Sequence, residues 1–188
     1  MGFGPIVEGS SPSPPAINIE MNVSGVILAA GKGTRMKSNV PKVLHPVSGK
    51  KLVLYALEVI EDINTKYIVV GHEAEKVIEA VPDSLNVVIQ EEQKGTGHAI
   101  SILLDDKKFA NDTSEYILVL PGDVPMINRD DIKNLIKKVI DSNSSIGFLS
   151  SKVSDPFGYG RVIQQEGQIK IVEEKDCTED ERLINEIN

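Results

Sequence analysis

Three short stretches of this chain hold side chains suited to chemistry on a phosphate-like anion. The first, Leu28-Ala29-Ala30-Gly31-Lys32-Gly33-Thr34-Arg35-Met36, leaves an apolar run and enters a basic, glycine-containing loop. Two glycines let backbone N–H groups approach an anion closely, and Lys32 and Arg35 add mobile positive charge. Two templates for such loops fail. Counted back from Gly31, the first glycine of a P-loop falls on Val26, and Lys32 is followed by Gly33 instead of Ser or Thr. A dinucleotide-binding GxGxxG begins at Gly31 and Gly33 but meets Met36 at its third glycine. The run continues through Ser38-Asn39-Val40-Pro41-Lys42-Val43-Leu44-His45 to Gly49-Lys50, where Pro41 restricts the backbone and presents Lys42 in a fixed direction.

The second stretch is Gln90-Glu91-Glu92-Gln93-Lys94-Gly95-Thr96-Gly97-His98-Ala99. Glutamine side chains can pair with both edges of an amide-like base, and Gly95 and Thr96 open a helix with free N–H donors. The same residues also suit an ordinary helix start with Thr96 as its cap. The third stretch, Tyr116 to Pro125, places Asp123 at the carboxyl tip of an apolar run. Magnesium that bridges phosphates takes only one or two protein carboxylates, so Asp123 is the candidate metal ligand. A plain turn aspartate is the alternative.

Other chemistries find no support. His45, His72 and His98 lack metal-ligand spacing, and His72-Glu73-Ala74-Glu75-Lys76 begins like HExxH but ends in Lys. There is no GxSxG elbow, and the single cysteine, Cys177, excludes an intrachain disulfide and a Cys-based zinc site. The missing nucleophile is itself informative. When one phosphate attacks another, the nucleophile is already anionic, and the enzyme mainly positions and neutralises.

The elements that must hold these residues are legible from hydrophobic patterning. Val23–Ala30, Lys66–Val70, Asn86–Gln90, Tyr116–Leu120 and Ser145–Leu149 read as buried strands, rich in Val, Ile and Leu. Helices are expected over Leu52–Ile60, Glu73–Ala80, Gly97–Leu104 and Asp130–Ile140, the last with Ile132, Leu135, Ile136, Val139 and Ile140 on one face. This alternation predicts an α/β fold, a Rossmann-like, mostly parallel sheet with helices on both faces. Gly160–Gln165 and Gln168–Glu173, separated by Glu166-Gly167, predict an appended β-hairpin. In open α/β sheets ligands bind beyond the carboxyl ends of the strands, where all three stretches fall.

Composition narrows the partners. The chain has 188 residues and a net charge of −8, with four Tyr, four Phe and no Trp. So few aromatics argue against a stacking platform for single-stranded nucleic acid. No acid lies between Glu20 and Glu58, where Lys32, Arg35, Lys37, Lys42, Lys50 and Lys51 cluster, whereas Glu173 to Asn188 is strongly acidic. A short basic stretch in an acidic protein suits a small anion better than a long polyanion such as DNA, with a solvated charged loop as the plainer reading. Apolar runs are too short to span a membrane. Residues 1–20, with Pro5, Pro12, Pro14 and Pro15, predict a disordered leader or expression remnant, with Met21 a plausible natural start. They lack a signal peptide's features, which predicts a cytoplasmic location.

Taken together, LAAGKGTRM, PKVLH and the following Gly-Lys resemble the sugar-nucleotide pyrophosphorylases, most closely the bacterial N-acetylglucosamine-1-phosphate uridyltransferases. QxxQxGTGHA is similar to that family's uracil-recognition segment, the Gly-Asp-x-Pro at Asp123 to its metal-binding strand end, and Gly158-Tyr159-Gly160-Arg161 with Val172-Glu173-Glu174-Lys175-Asp176 to its sugar site. The resemblance covers Val23 to Asn188 and implies the nucleotide-diphospho-sugar transferase fold. It implies nucleotide binding by Leu28, Ala29, Ala30, Gly31, Lys32, Gly33, Gln90, Gln93, Gly95 and Thr96, and sugar binding by Gly160, Glu173 and Asn188. Arg35, Lys42 and Asp123 would be catalytic, with Mg²⁺ on Asp123. Two residues depart from the pattern: Lys94 stands where Leu is expected and Cys177 where Ala is usual.

The implied reaction is attack of N-acetylglucosamine 1-phosphate on the α-phosphorus of UTP, giving UDP-N-acetylglucosamine and pyrophosphate. A sister enzyme with another base or sugar, or a UTP-binding but catalytically incomplete fragment, are the alternatives. The family's transferase domain continues beyond the part matched here, so residues 21–188 read as a nucleotidyltransferase domain incomplete at its C-terminus. Its trimerising β-helix acetyltransferase half has no counterpart in the sequence, which implies a monomer.

Overall fold

A computed structural model of the protein describes residues 22–33, 36–165 and 168–188. The expected leader and Arg35 lie outside the described residues. In chain order the elements are β1 (Val23–Ala29), a short ribbon β2 (Pro46–Val47) and β3 (Lys50–Lys51), α1 (Leu52–Val59), β4 (Lys66–Val70), α2 (Ala74–Ile78), β5 (Asn86–Ile89), α3 (Thr96–Leu104), β6 (Tyr116–Pro121) and α4 (Arg129–Asp141). The C-terminal part adds β7 (Ser151–Lys152), β8 (Arg161–Gln165), β9 (Gln168–Val172), α5 (Glu179–Arg182) and β10 (Glu186–Ile187).

The central sheet is parallel, in the order β5-β4-β1-β6. Its strands read as continuous apolar runs because both faces are covered: Tyr67, Ile68, Val69 and Val70 of β4 are each at most 2% exposed. One face packs Ile27, Ile68 and Val70 against Val53, Ala56 and Ile60 around α1, Val77 of α2 and Ile132 of α4. The other packs Val26, Tyr67, Val69 and Val88 against Ala99 and Leu103 of α3. The expected α/β fold with helices on both faces is therefore the fold observed.

The chain runs outward from β1 through β4 to β5, then returns to lay β6 on the other side of β1. The strand order therefore reverses at β1, and in open α/β sheets the ligand crevice lies at the carboxyl ends of such a neighbouring pair, here β1 and β6. That crevice positions the site.

The fifth expected strand, Ser145–Leu149, is not one. Ile146 is 81% exposed, and the backbone at Gly147 lies against Leu135 and Val139 of α4, too close for any side chain there. An apolar run becomes a strand only by pairing with an open edge, and this one follows the end of its helix instead. The expected hairpin forms as β8 and β9, pairing from Arg161↔Val172 to Gln165↔Gln168, but belongs to a four-stranded antiparallel sheet, β7-β10-β8-β9. Among the described residues no helix is long and apolar enough to cross a membrane.

At the amino end of the sheet, fully buried Ser24 donates its hydroxyl to Asp112, whose other carboxylate oxygen accepts from Ser114 N at 2.9 Å. Burial alone would raise the Asp112 pKa. The bonds from Ser24, Ser114 and Tyr67 outweigh it and hold it below 3.8. Ser24→Ala should therefore cost about 1 kcal/mol near neutral pH by chemical denaturation. Because a depressed carboxyl stabilises only above its unfolded value, that difference should disappear as pH falls below 3.8 and through the folded value.

Candidate active site

Gly122 N donates to Leu28 O at 2.9 Å, the last link between β1 and β6 before their loops part. Leu28, Ala29 and Ala30 form the half-buried to buried wall of the crevice, and Gly31-Lys32 its exposed lip. Gly33 has a specific reason to be glycine. Its φ of 58° is left-handed, and a Cβ there would stand 2.8 Å from the Lys42 Cβ. Gly31 is unlike it, with open space around a notional Cβ.

Lys42 begins a single 3₁₀ turn over Lys42–Leu44, entered from extended Pro41. Val43 and Leu44 are buried in the core, so the turn is anchored and Lys42 is held over the crevice. There its Nζ meets Asp123 Oδ2 at 2.5 Å. The best two candidates for phosphate chemistry, 81 positions apart in sequence, thus converge. Among the described residues no three His, Cys, Asp or Glu side chains cluster as a preformed metal cage. A single carboxylate nevertheless fits Mg²⁺, which can keep its remaining positions for water and phosphate oxygens.

The Gln90 loop forms the adjoining wall. Gln90 is 2% exposed, its backbone N–H bound to Val70 O at 2.7 Å and its Nε2 within 3.3 Å of Gly95 O and 2.9 Å of His98 Nδ1. Gln93 Nε2 donates to Gln90 O at 3.1 Å and Glu91 O at 3.2 Å. Gly71, which no sequence pattern singled out, permits this loop: a Cβ there would lie 2.8 Å from Gln90 O and 2.9 Å from Gln93 Nε2. Thr96 is not the cap. Gly95, at φ 99°, precedes the helix and Thr96 is its first residue, so no side chain occupies the N–H groups of that turn. The departure at Lys94 is accommodated outside, where its ammonium pairs with Glu92 and both are exposed.

Of the three expected sugar residues, two are neighbours. Asn188 N donates to Gly160 O at 3.4 Å, and any side chain at Gly160 would collide with Asn188. Glu173 is exposed and joins no polar side-chain contact among the described residues, whereas the adjacent Glu174 is the engaged acid. It accepts from Arg161 Nη2 at 2.6 Å and Gly158 N at 3.2 Å. Arg161 is 2% exposed, a buried cation that the sequence reading quoted within Gly158-Tyr159-Gly160-Arg161 without giving it a role of its own. No hydrogen bond or ion pair among the described residues joins this sheet to the Lys42–Asp123 pair. Cys177 is buried, with Sγ 3.5 Å from Val172 O.

This combination, a parallel sheet whose order reverses beside a glycine-rich basic loop and an acid at the next strand tip, defines a nucleotidyltransferase. The MobA-like NTP transferase domain matches residues 25–166, and the chain belongs to that family. It is 41% identical over 172 residues to the bifunctional protein GlmU of Clostridioides difficile (strain 630), covering 89% of this chain and 37% of that protein. It is 45% identical over 168 residues to GlmU of Prochlorococcus marinus (strain NATL2A), covering 86% and 37%. The chain thus spans little more than a third of the length of these relatives. Among solved structures, a putative glucose-1-phosphate thymidylyltransferase from Bacillus anthracis shares the fold at TM-score 0.68 and 22% identity, over 88% of this chain and 68% of that one. A mannose-1-phosphate geranyltransferase from Thermus thermophilus does so at TM-score 0.66 and 21% identity, over 87% and 52%.

The guanidinium of Arg161 is the main reason the Glu174 carboxyl is held below its ordinary 4.5. Glu174→Gln should lower the melting temperature by several degrees at neutral pH. A depressed acid stabilises above its unfolded pKa, so wild type and variant should converge as pH falls below 4.5 in paired thermal melts.

Proposed function

We propose that this chain binds UTP in the crevice and carries the uridylyl-transfer site that joins it to N-acetylglucosamine 1-phosphate. The observation that carries the reading is the meeting of Lys42 and Asp123 at the sheet's switch point, beside a wall of glutamines suited to a base. The phosphate of the sugar attacks the α-phosphorus of UTP in line. One P–O bond forms to the sugar phosphate as the bond to the bridging oxygen breaks, and its electron pair leaves with pyrophosphate. No protein nucleophile or general base is required, because the attacking oxygen is already anionic.

Within this scheme the chain's residues position and neutralise. Backbone N–H groups of Gly31 and Gly33 face the triphosphate, and Lys32 adds a mobile charge. Arg35, from the same loop, joins it on the leaving group. Lys42 holds the phosphates at the reacting centre; its pair with Asp123 is partly exposed, and such pairs contribute only about 0–1 kcal/mol, so exchange of partners costs little. Mg²⁺ held by Asp123 would offset the negative charge gathering on the phosphate oxygens. Gln90, Gln93 and the free N–H groups at Gly95 and Thr96 read the base, while Gly160, Glu173 and Asn188 receive the sugar. Residues 21–188 act together as the nucleotidyltransferase domain.

The alternative reading is nucleotide binding without turnover. A coupled assay of pyrophosphate release from UTP, the sugar phosphate and Mg²⁺, run beside a UTP titration, separates the two. Asp123→Asn should keep the fold and lower pyrophosphate release by a factor of about 100 or more, corresponding to about 2.7 kcal/mol or more of transition-state stabilisation. Normal release in that variant would remove the metal role. Preference for another nucleoside triphosphate or sugar phosphate in a substrate panel would assign the site to a sister reaction.

A further inference from the structure

The backbone of Gln90 is fixed by the sheet, through its bond to Val70 O at 2.7 Å. Its carboxamide has no such anchor, because the last side-chain torsion is a soft two-fold rotor. The two ends of that rotor are chemically opposite: one orientation presents an acceptor to a ligand, the other a pair of donors. Two groups on the first turn of α3 choose between them. The Gly95 carbonyl can only accept, and it lies 3.3 Å from Nε2. His98 Nδ1 lies closer, at 2.9 Å from the same nitrogen. Both Nε2 hydrogens are then used, Nδ1 acts as acceptor, and the neutral imidazole carries its proton on Nε2. No hydrogen bond from the described residues engages the carboxamide oxygen.

The acceptor pair is rigid. Gly95 O also takes the first helical bond, from Ala99 N at 3.1 Å, and Ala99 and Leu103 are buried against the sheet. The imidazole therefore stands on a helix that cannot easily follow the carboxamide if it turns.

We infer that His98 is the positioning residue for base selection, holding the Gln90 carboxamide so that only its oxygen faces the ligand. An acceptor there pairs with the imide N–H of uracil or thymine and opposes the lone pair that cytosine carries at the same ring position. This rests on the proposed binding of a nucleotide base at Gln90. His98 touches no reacting atom and acts through Gln90 alone.

The test is a pair of titrations, UTP and CTP, on the whole chain and on two variants. His98→Leu removes the acceptor while roughly keeping bulk, and the UTP-over-CTP ratio should fall about tenfold, the value of one hydrogen bond. His98→Asn places an amide oxygen near the position of Nδ1 and should restore the ratio to within about threefold of wild type. An unchanged ratio in His98→Leu, or equal loss in both variants, would overturn the inference while leaving uridine binding standing. Absence of any UTP preference in the wild-type chain would instead overturn the base reading and this inference together. Independently of whether the Leu variant folds, long-range ¹H–¹⁵N spectra of the neutral wild-type imidazole should show the proton on Nε2. An Nδ1-protonated ring would refute the positioning role.

Discussion

The geometry of the site follows from the place where β1 and β6 stop pairing. After Gly122 N meets Leu28 O at 2.9 Å the pairing ends and each strand passes into its own loop. A parallel strand buried on both faces leaves its functional residues only its carboxyl end. The loop of Gly31 to Gly33 and the acid at Asp123 thus follow neighbouring strand ends, and Lys42 lies against Gly33 and pairs with Asp123. Lys42 completes the arrangement because its turn is nailed to the same core by Val43 and Leu44.

Three polar side chains are buried among the described residues, Ser24, Gln90 and Arg161, and each fastens a loop. Ser24 ties the strand β1 to the turn at Asp112, Gln90 ties the end of β5 to α3, and Arg161 ties β8 to the turn after β9. A buried polar group is costly unless its bonds are made, so each pair admits few alternative arrangements. Two of the three adjoin the proposed ligand sites: Gln90 itself lines one, and Arg161 and Glu174 directly follow Gly160 and Glu173.

Much of the fold was legible because parallel strands need apolar side chains on both faces, a pattern visible without tertiary context. The helices α1, α2, α3 and α4 all lie within one or two residues of the ranges expected from their hydrophobic patterning. Ser145–Leu149 shows the limit. Its residues are as apolar as those of β1, yet pairing needs a free edge in register, and local sequence does not encode which edge is free. The misplacement of the cap at Thr96 has a similar origin, since the positive φ at Gly95 shifts the start of α3 by one residue.

The sequence by itself determined the chemistry on offer: a glycine-rich basic loop, a lysine set by Pro41, paired glutamines and an acid at a strand tip. Residue type and local backbone restriction are properties of the chain, so no folding was needed to read them. Only the tertiary structure decided which of these meet. It brought Lys42 to Asp123, gave Gln90 a partner in His98, and engaged Glu174 with Arg161 while leaving Glu173 exposed. Such pairings depend on the order in which strands are laid into the sheet and on which side chains lose their water, and both are settled only when the whole core closes.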